Sequence, residues 1–256
     1  MSSVQVERKE QVALLRLNEP QSMNALSATI KEGLESQIPA LLADPDIRAL
    51  VITGAGRAFC AGGDIRTMHD RVTLNVRSRL QRNYGWAQRL LTCEKPVIMA
   101  VNGVAAGAGF ALALLGDIIL AADAARFKAG FPGLGAVPDI GLAYTLPRAV
   151  GFLRAKEILL TNRTIEVAEA AAIGLVNHVH PAADLMSAAL AMAADLAAGP
   201  VSLGLTKSMM RRAYDDTLER FLEGEAQTQA VAFGSEDFAE GVAAFLGKRK
   251  PSFKGR

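Results

Sequence analysis

Two glycine-rich segments of this 256-residue chain have the composition of an anion-binding backbone site. The first is Gly54–Ile65 and the second is Asn102–Phe110. Each comes directly after a short apolar run and leads into a helix-like pattern. Glycine lets a ligand approach the main chain closely because it has no side chain. Two such turns at the ends of neighbouring strands can aim two peptide N–H groups at one point, which is the arrangement of an oxyanion hole.

Other glycine-based sites are excluded by the residues at their key positions. Phe59 and Leu112 stand where a dinucleotide-binding motif needs its third glycine, and Val242 stands where a P-loop needs its first. The chain also has no G-x-S-x-G nucleophile elbow. Taken separately, each glycine segment equally fits an ordinary connection from a strand to a helix.

The elements that must position these turns alternate between strand and helix patterns. The expected strands are Val4–Glu7, Val12–Leu17, Ala49–Thr53, Val97–Val101, Ile118–Ala121 and Val176–Val179. The expected helices are one that starts after Ser27, one within Arg66–Thr92, then Ala108–Leu115, one from Leu142, Ala182–Ala198, Pro200–Arg212, Leu218–Phe233 and Asp237–Phe245. This alternation predicts an α/β fold with parallel strands, followed by a tail that is only helical.

Composition narrows the possible classes of protein. Half of the residues are apolar and the net charge is +2, which indicates one sizeable core and gives no support for nucleic-acid binding. No apolar run is long enough to span a membrane, and the polar start of the chain lacks a targeting pattern, so we expect a cytoplasmic location. Cys60 and Cys93 have no disulfide or zinc spacing. His178 and His180 share a strand face without a third ligand nearby, so no metal is expected.

The segments Arg57–Ile65 and Lys95–Gly109 resemble the two signature segments of the enoyl-CoA hydratase/isomerase (crotonase) superfamily. The resemblance continues in order through Gly116–Ile119, Gly135–Asp139, Leu146–Arg148, Ala172–Val176 and Phe245–Lys250. It implies a crotonase-like core of repeated ββα units in residues 1–195 and a helical trimerisation region in residues 196–256. It also implies an acyl-CoA enzyme that assembles as a homotrimer or a dimer of trimers, with coenzyme A as part of the substrate and no separate cofactor.

The same resemblance assigns roles to single residues. The backbone N–H groups of Gly63 and Ala108 would hold the thioester oxygen. The adenine and pantetheine of CoA would pass Ala61, Gly62 and Asp64. Arg57 and Arg66 would lie near the CoA phosphates, because arginine binds phosphate through a fixed fork of donors. Phe245 and Lys248 would reach the CoA of a neighbouring subunit. Alternatively, the two arginines are solvated charges at the protein surface.

The acid–base residues decide the reaction. Hydratases that resemble this chain carry two glutamates, and the matching positions here are Ala111 and Phe131, which cannot carry a proton. Asp139 follows Pro138 at a position where some family members have their acid–base aspartate. The alternative is that Asp139 is only the N-cap of the helix from Leu142, but the acid–base role is favoured. Apolar surroundings would raise the pKa of Asp139 by desolvation.

The resemblance therefore favours an enoyl-CoA isomerase of the Δ3,Δ2 type, with Asp139 as a single proton shuttle. Three alternatives stay open: a hydratase that uses Asp139 alone, a dehalogenase or hydrolase that uses it as a nucleophile, and a CoA-binding protein without catalysis. The acyl pocket is expected to draw its walls from the Arg66–Leu91 region. Within that region, Tyr84 and Trp86 either line the pocket or pack in the core, and His69 is expected at the surface.

Overall fold

The computed structural model describes residues 2–256, so that Met1 of the expected core lies outside the described residues. The strands are β1 Val4–Lys9, β2 Val12–Leu17, β3 Ala49–Gly54, β4 Ala58–Cys60, β5 Val97–Val101, β6 Val104–Ala106, β7 Ile118–Ala122, β8 Arg126–Lys128, β9 Thr164–Glu166 and β10 His178–His180. The helices are α1 Ala28–Ala43, α2 Thr73–Thr92, α3 Ala108–Ala113, α4 Leu142–Val150, α5 Phe152–Thr161, α6 Val167–Ala172, α7 Leu185–Ala197, α8 Ser202–Met210, α9 Leu218–Phe233 and α10 Glu236–Leu246.

A six-stranded sheet forms the centre of the molecule, in the order β1-β2-β3-β5-β7-β10. β1 and β2 form an antiparallel hairpin, and all the other neighbours run parallel. The strand β3 is buried along its whole length, as expected when both faces of a parallel sheet are covered. The predicted α/β architecture is confirmed.

A smaller, four-stranded sheet has the order β4-β6-β8-β9. β3, β5 and β7 of the central sheet are each followed within a few residues by β4, β6 and β8, respectively, and then by a helix. The chain thus repeats a ββα unit, in agreement with the crotonase-like core expected from the resemblance. This repeat places the two glycine segments side by side, because β3 pairs with β5 and β4 pairs with β6.

Alanine-rich α7 covers one face of the central sheet. Ala189, Ala193 and Ala197 recur every four residues on its buried side, and they share a core cluster with Val51 of β3 and Ile98 of β5. Small side chains at this spacing let the helix lie close to the sheet. The larger core cluster lies on the other face and includes the inner side of α1 and α2.

The structure corrects several expected boundaries. α2 begins at Thr73 rather than near Arg66, because Ile65–Thr67 form a 3₁₀ turn that the side chain of Asp64 caps. The last strand is β10 rather than Val176–Val179, because the Val176 amide still donates to Ala170 at the end of α6. The first strand was predicted, but its antiparallel pairing with β2 and the small sheet were not.

No single helix within residues 2–256 is long and apolar enough to cross a membrane. α7 and α8 reach the required length and composition only when taken together, and the pair is bent by 105°.

Candidate active site

The two glycine turns lie in direct backbone contact. A Cβ atom on Gly109 would stand 2.0 Å from the carbonyl oxygen of Cys60, and one on Gly62 would stand 2.8 Å from the carbonyl oxygen of Ala106. Neither position has room for a side chain. Glycine at these positions therefore lets the turn after β4 and the start of α3 approach one another.

The amides of Gly63 and Ala108, which are the predicted oxyanion donors, have no backbone hydrogen-bond acceptor among the described residues. A Cβ atom on Gly62 would lie 3.5 Å from the Ala108 nitrogen, so that the two turns meet beside these amides. Gly107, with φ 53° and ψ −124°, gives the backbone direction that α3 needs at its start. The Leu26 amide donates to the Gly62 carbonyl at 2.7 Å and fixes the first turn.

The carboxylate of Asp139 has an oxygen atom for which the described residues supply no hydrogen-bond donor. Its Oδ1 atom is buried and accepts no hydrogen bond from the described residues. Burial raises the pKa of Asp139, although the positive charge of Lys31 and its own backbone N–H lower it in part. The direction agrees with the expected desolvation. A buried oxygen without a partner is available to a group that the protein itself does not supply.

The N-cap alternative for Asp139 is wrong. Gly141 occupies the N-cap of α4, and no side chain caps this helix. The backbone carbonyl of Asp139, rather than its carboxylate, accepts from the Leu142 amide at 3.0 Å. Ile140 between them has φ 48°, a left-handed conformation that is rare for a β-branched residue. The turn therefore directs the carboxylate away from the helix end.

The two positions that match the family's glutamates are apolar and buried. Ala111 lies on α3, one turn after Ala108, and Phe131 directly precedes a 3₁₀ turn at Pro132–Leu134. Of the three positions, only Asp139 has a side chain that can carry a proton.

Five of the expected CoA-binding residues lie in or beside the first glycine turn. Arg57 is exposed beside the turn. Arg66 is not free: its guanidinium donates two hydrogen bonds to the Asp64 carboxylate, at 2.9 and 3.0 Å. Gly62 lies in the turn itself, and the Ala61 amide already donates to Met23 at 3.0 Å. These roles in CoA binding stay predictions.

Phe245 and Lys248 lie at the other end of the chain. Phe245 is 84% exposed near the end of α10, and Lys248 follows with φ 51°. No residue of α9 is buried. The role of this tail in assembly stays a prediction.

A cavity of about 610 Å³ opens beside the Asp139 turn. Ile140 and Gly141 line one side, and α2 lines the other through Tyr84, Ala87 and Leu91. These α2 residues belong to the Arg66–Leu91 region, from which the walls of the acyl pocket were predicted to come. The negative charge of Asp139 contributes, after burial, to the raised pKa of the Tyr84 hydroxyl. Trp86, by contrast, is buried in the core and its indole N–H has no partner within residues 2–256.

Two residues near Asp139 were not predicted. Lys31 of α1 and Asn83 of α2 line a second, smaller cavity of about 170 Å³. In the sequence, Lys31 and Asn83 stand in polar stretches that are typical of solvent-exposed helix faces. Their partial burial arises from the packing of α1 against α2, which no local pattern reveals.

The remaining candidates have structural roles. Burial raises the pKa of the Cys60 thiol to about 12, so that it behaves as a small apolar side chain. His69 is exposed, and the rings of His178 and His180 lie 6.4 Å apart. Among residues 2–256, no group of three His, Cys, Asp or Glu side chains is arranged to hold a metal ion.

Comparison with known proteins agrees with this geometry. The family model described as enoyl-CoA hydratase/isomerase matches residues 7–256. The chain is 38% identical to the 1,2-epoxyphenylacetyl-CoA isomerase of Escherichia coli K12, over 96% of this chain and 95% of that protein. It is also 38% identical to the 2,3-dehydroadipyl-CoA hydratase of the same organism, over the whole of both chains. The crystal structure of an enoyl-CoA hydratase from Bacillus anthracis superposes with a TM-score of 0.94 at 30% identity, and covers 99% of this chain and 100% of that one.

Proposed function

Because the chain belongs to the enoyl-CoA hydratase/isomerase family, we propose that it is an enoyl-CoA isomerase of the Δ3,Δ2 type. The observation that carries this proposal is the buried Asp139 carboxylate, whose Oδ1 atom has no partner among the described residues. A hydratase with two acidic residues would need carboxylates at Ala111 and Phe131. One carboxylate is sufficient for an isomerisation, because the same group can remove and return a proton.

The proposed reaction balances with these groups alone. The Asp139 carboxylate removes a proton from C2 of a 3-enoyl thioester, and the electron pair moves toward the thioester oxygen. The amides of Gly63 and Ala108 donate to that oxygen while the dienolate exists. The protonated Asp139 then gives its proton to C4, which leaves the double bond between C2 and C3. A positioned base contributes about 10²–10⁴-fold, and each oxyanion donor about 10²–10³-fold.

The charge around Asp139 suits this task. Burial makes its carboxylate a stronger base than an aspartate in water, because burial raises the pKa. The positive charge of Lys31 acts in the opposite direction and favours the ionised form. The base is therefore both strengthened and kept available near neutral pH.

A hydratase is the second candidate, and the names of relatives favour it. The 2,3-dehydroadipyl-CoA hydratase shares as much identity with this chain as the epoxyphenylacetyl-CoA isomerase does. Hydration by this chain would require Asp139 to activate water and protonate C2 without a second carboxylate. The apolar residues Ala111 and Phe131 disfavour that water.

The test is a comparison of 3-enoyl- and 2-enoyl-CoA esters of graded chain length, followed by chromatography of the products. We expect 3-enoyl-CoA to give the 2-enoyl isomer, and Asp139→Asn to lose this activity by at least about 100-fold. Asp123→Asn, which removes an exposed carboxylate, is the matched control and should keep it. Rapid formation of 3-hydroxyacyl-CoA from the 2-enoyl ester would establish the hydratase instead.

We also propose that the protein assembles as a homotrimer or a dimer of trimers through its C-terminal helices. The exposed apolar side chains of α9 and α10 support this: Leu218, Leu222, Val231, Phe233, Phe238, Val242, Phe245 and Leu246. Sedimentation velocity should give a mass of three or six chains. A stable monomer would contradict the proposal and leave the assigned CoA contacts of Phe245 and Lys248 without a basis.

A further inference from the structure

Gly63, the predicted oxyanion donor of the first turn, is a glycine that its own backbone conformation does not require. Its φ is not positive, whereas that of the preceding Gly62 is 105°. Outside its chain neighbours, a Cβ atom added to Gly63 would meet a single atom within 4 Å, the Cε methyl carbon of Met68 at 2.5 Å. The methyl group of Met68 therefore fills the space that the missing side chain of Gly63 leaves.

The position of Met68 is fixed by the turn that carries it. Met68 ends the 3₁₀ turn that the side chain of Asp64 caps. The Met68 amide donates to the Ile65 carbonyl at 3.2 Å, and the Thr67 hydroxyl donates to the Asp64 carbonyl at 2.7 Å. None of these hydrogen bonds involves the Met68 side chain, which is 42% exposed. Shortening this side chain therefore leaves the turn intact and empties the space beside Gly63.

A thioester held by the Gly63 amide brings only a few atoms close to this space. An oxygen that accepts from the amide lies about 3 Å from the nitrogen. The carbonyl carbon follows one bond further on, and its two substituents, the sulfur and C2, follow after it. The sulfur carries the same pantetheine in every CoA ester, whereas C2 differs between straight and branched acyl groups. A side chain beside the Gly63 amide can therefore distinguish substrates through the substituents of C2.

The contact also limits how much can be added at C2. A methyl branch directed toward Gly63 would compete with the Met68 methyl group for the same space, and overpacking of this kind is unfavourable. Methionine is flexible enough to fill a gap of irregular shape. It fills this one beside the atom from which the proposed isomerisation removes a proton.

We propose that Met68 is a specificity-determining residue of the thioester site, where its methyl group disfavours acyl groups that carry a methyl branch at C2. This proposal rests on the acyl-CoA function proposed above and names the class of acyl group, which is unbranched next to the thioester.

The test measures binding without turnover. Isothermal titration compares butyryl-CoA with the two epimers of 2-methylbutyryl-CoA, which are saturated and cannot isomerise. We expect the wild type to bind butyryl-CoA at least about five-fold more tightly than either epimer. Met68→Ala should reduce this difference to less than about two-fold for at least one epimer, whereas Met68→Leu, which conserves the side-chain volume, should keep it. Met210→Ala, which shortens an exposed methionine of α8, is the matched control and should also keep it.

The outcomes separate this proposal from the proposed function. Equal affinity of the wild type for straight and branched esters would overturn the role of Met68, as would a difference that persists in Met68→Ala or disappears in Met210→Ala. A wild type that does not bind butyryl-CoA would overturn it together with the assignment of Gly63 as a donor. Failure of the isomerase proposal appears separately, as a lack of turnover of 3-hexenoyl-CoA by a protein that still prefers the straight ester.

Discussion

Gly109→Ala tests the close contact between the two glycine turns. In the structure, an added Cβ atom would lie 2.0 Å from the Cys60 oxygen, 2.7 Å from the carbonyl carbon and 2.8 Å from the Cys60 Cβ atom. Two of these three atoms belong to the backbone, so that no side-chain rotation relieves the contact. The turn after β4 and the start of α3 must separate instead.

The size of this separation follows from the distances. Ordinary contact begins near 3.4 Å, so that a contact of 2.0 Å requires a shift of 3.4 − 2.0 = 1.4 Å. Oxyanion donors act over about 2.7–3.1 Å, and a shift of about 1 Å therefore takes the Ala108 amide out of range. We expect kcat to fall by about 10²–10³-fold. Overpacking of this kind costs about 1–3 kcal/mol, which corresponds to a fall in Tm of about 2–12 °C.

The assay combines differential scanning fluorimetry with turnover of 3-hexenoyl-CoA, and Gly85→Ala is the matched control. Gly85 lies within α2, and an added Cβ atom there would meet nothing within 4 Å. Alanine should therefore stabilise that helix by up to about 1 kcal/mol and leave kcat unchanged. A Gly109→Ala variant with the Tm and kcat of the wild type would refute the steric argument. A lower Tm with unchanged kcat would refute the assignment of Ala108 as a donor.

Three further perturbations test the charges. Asp139→Asn should raise Tm at about pH 8, because burial disfavours the ionised carboxylate, and the gain should shrink as the pH falls and the wild-type carboxylate becomes protonated. A gain that does not change with pH would contradict this. Lys31→Met should move the acidic limb of kcat/KM to higher pH, because the lost positive charge no longer lowers the pKa of Asp139, whereas Lys31→Arg should leave the limb in place. Lys207→Met should reduce the free energy of unfolding in urea by up to about 3–5 kcal/mol, because the largely buried ammonium lies 2.7 Å from Asp117. A loss below that of the exposed Lys156→Met would contradict this.

The sequence predicts the large sheet and most helices because their signals are local. β3 and β5 are continuous apolar runs, and α1 shows buried Ile30, Leu34 and Ile38 at helical spacing after the Ser27 cap. The small sheet has no comparable signal. Each of its strands is only three residues long, which is too short for a periodic pattern, and its order depends on the repeated ββα path of the chain.

The sequence likewise predicts some residues of the candidate site and not others. The two glycine turns can be paired from the sequence because each follows a strand and their strands are neighbours. Lys31 and Asn83 cannot be identified, because their burial depends on how α1 and α2 pack together. Arg66 shows a second limit, because its ion pair with Asp64, two residues before it in the chain, was not predicted.

The turn around Asp139 combines two local costs that a purely structural connection would avoid. Ile140 adopts a left-handed conformation, which costs a β-branched residue about 1–2 kcal/mol, and the adjacent carboxylate oxygen is buried without a partner. Glycine at position 140 would relieve the first cost, and an apolar residue at position 139 would relieve the second. Strain of this kind persists where the surrounding fold imposes it, and it is concentrated at functional sites. Both costs fall on the turn that carries the residue we propose as the acid–base group, and they are what we expect if the fold is selected to present one carboxylate to a substrate rather than only to connect two elements.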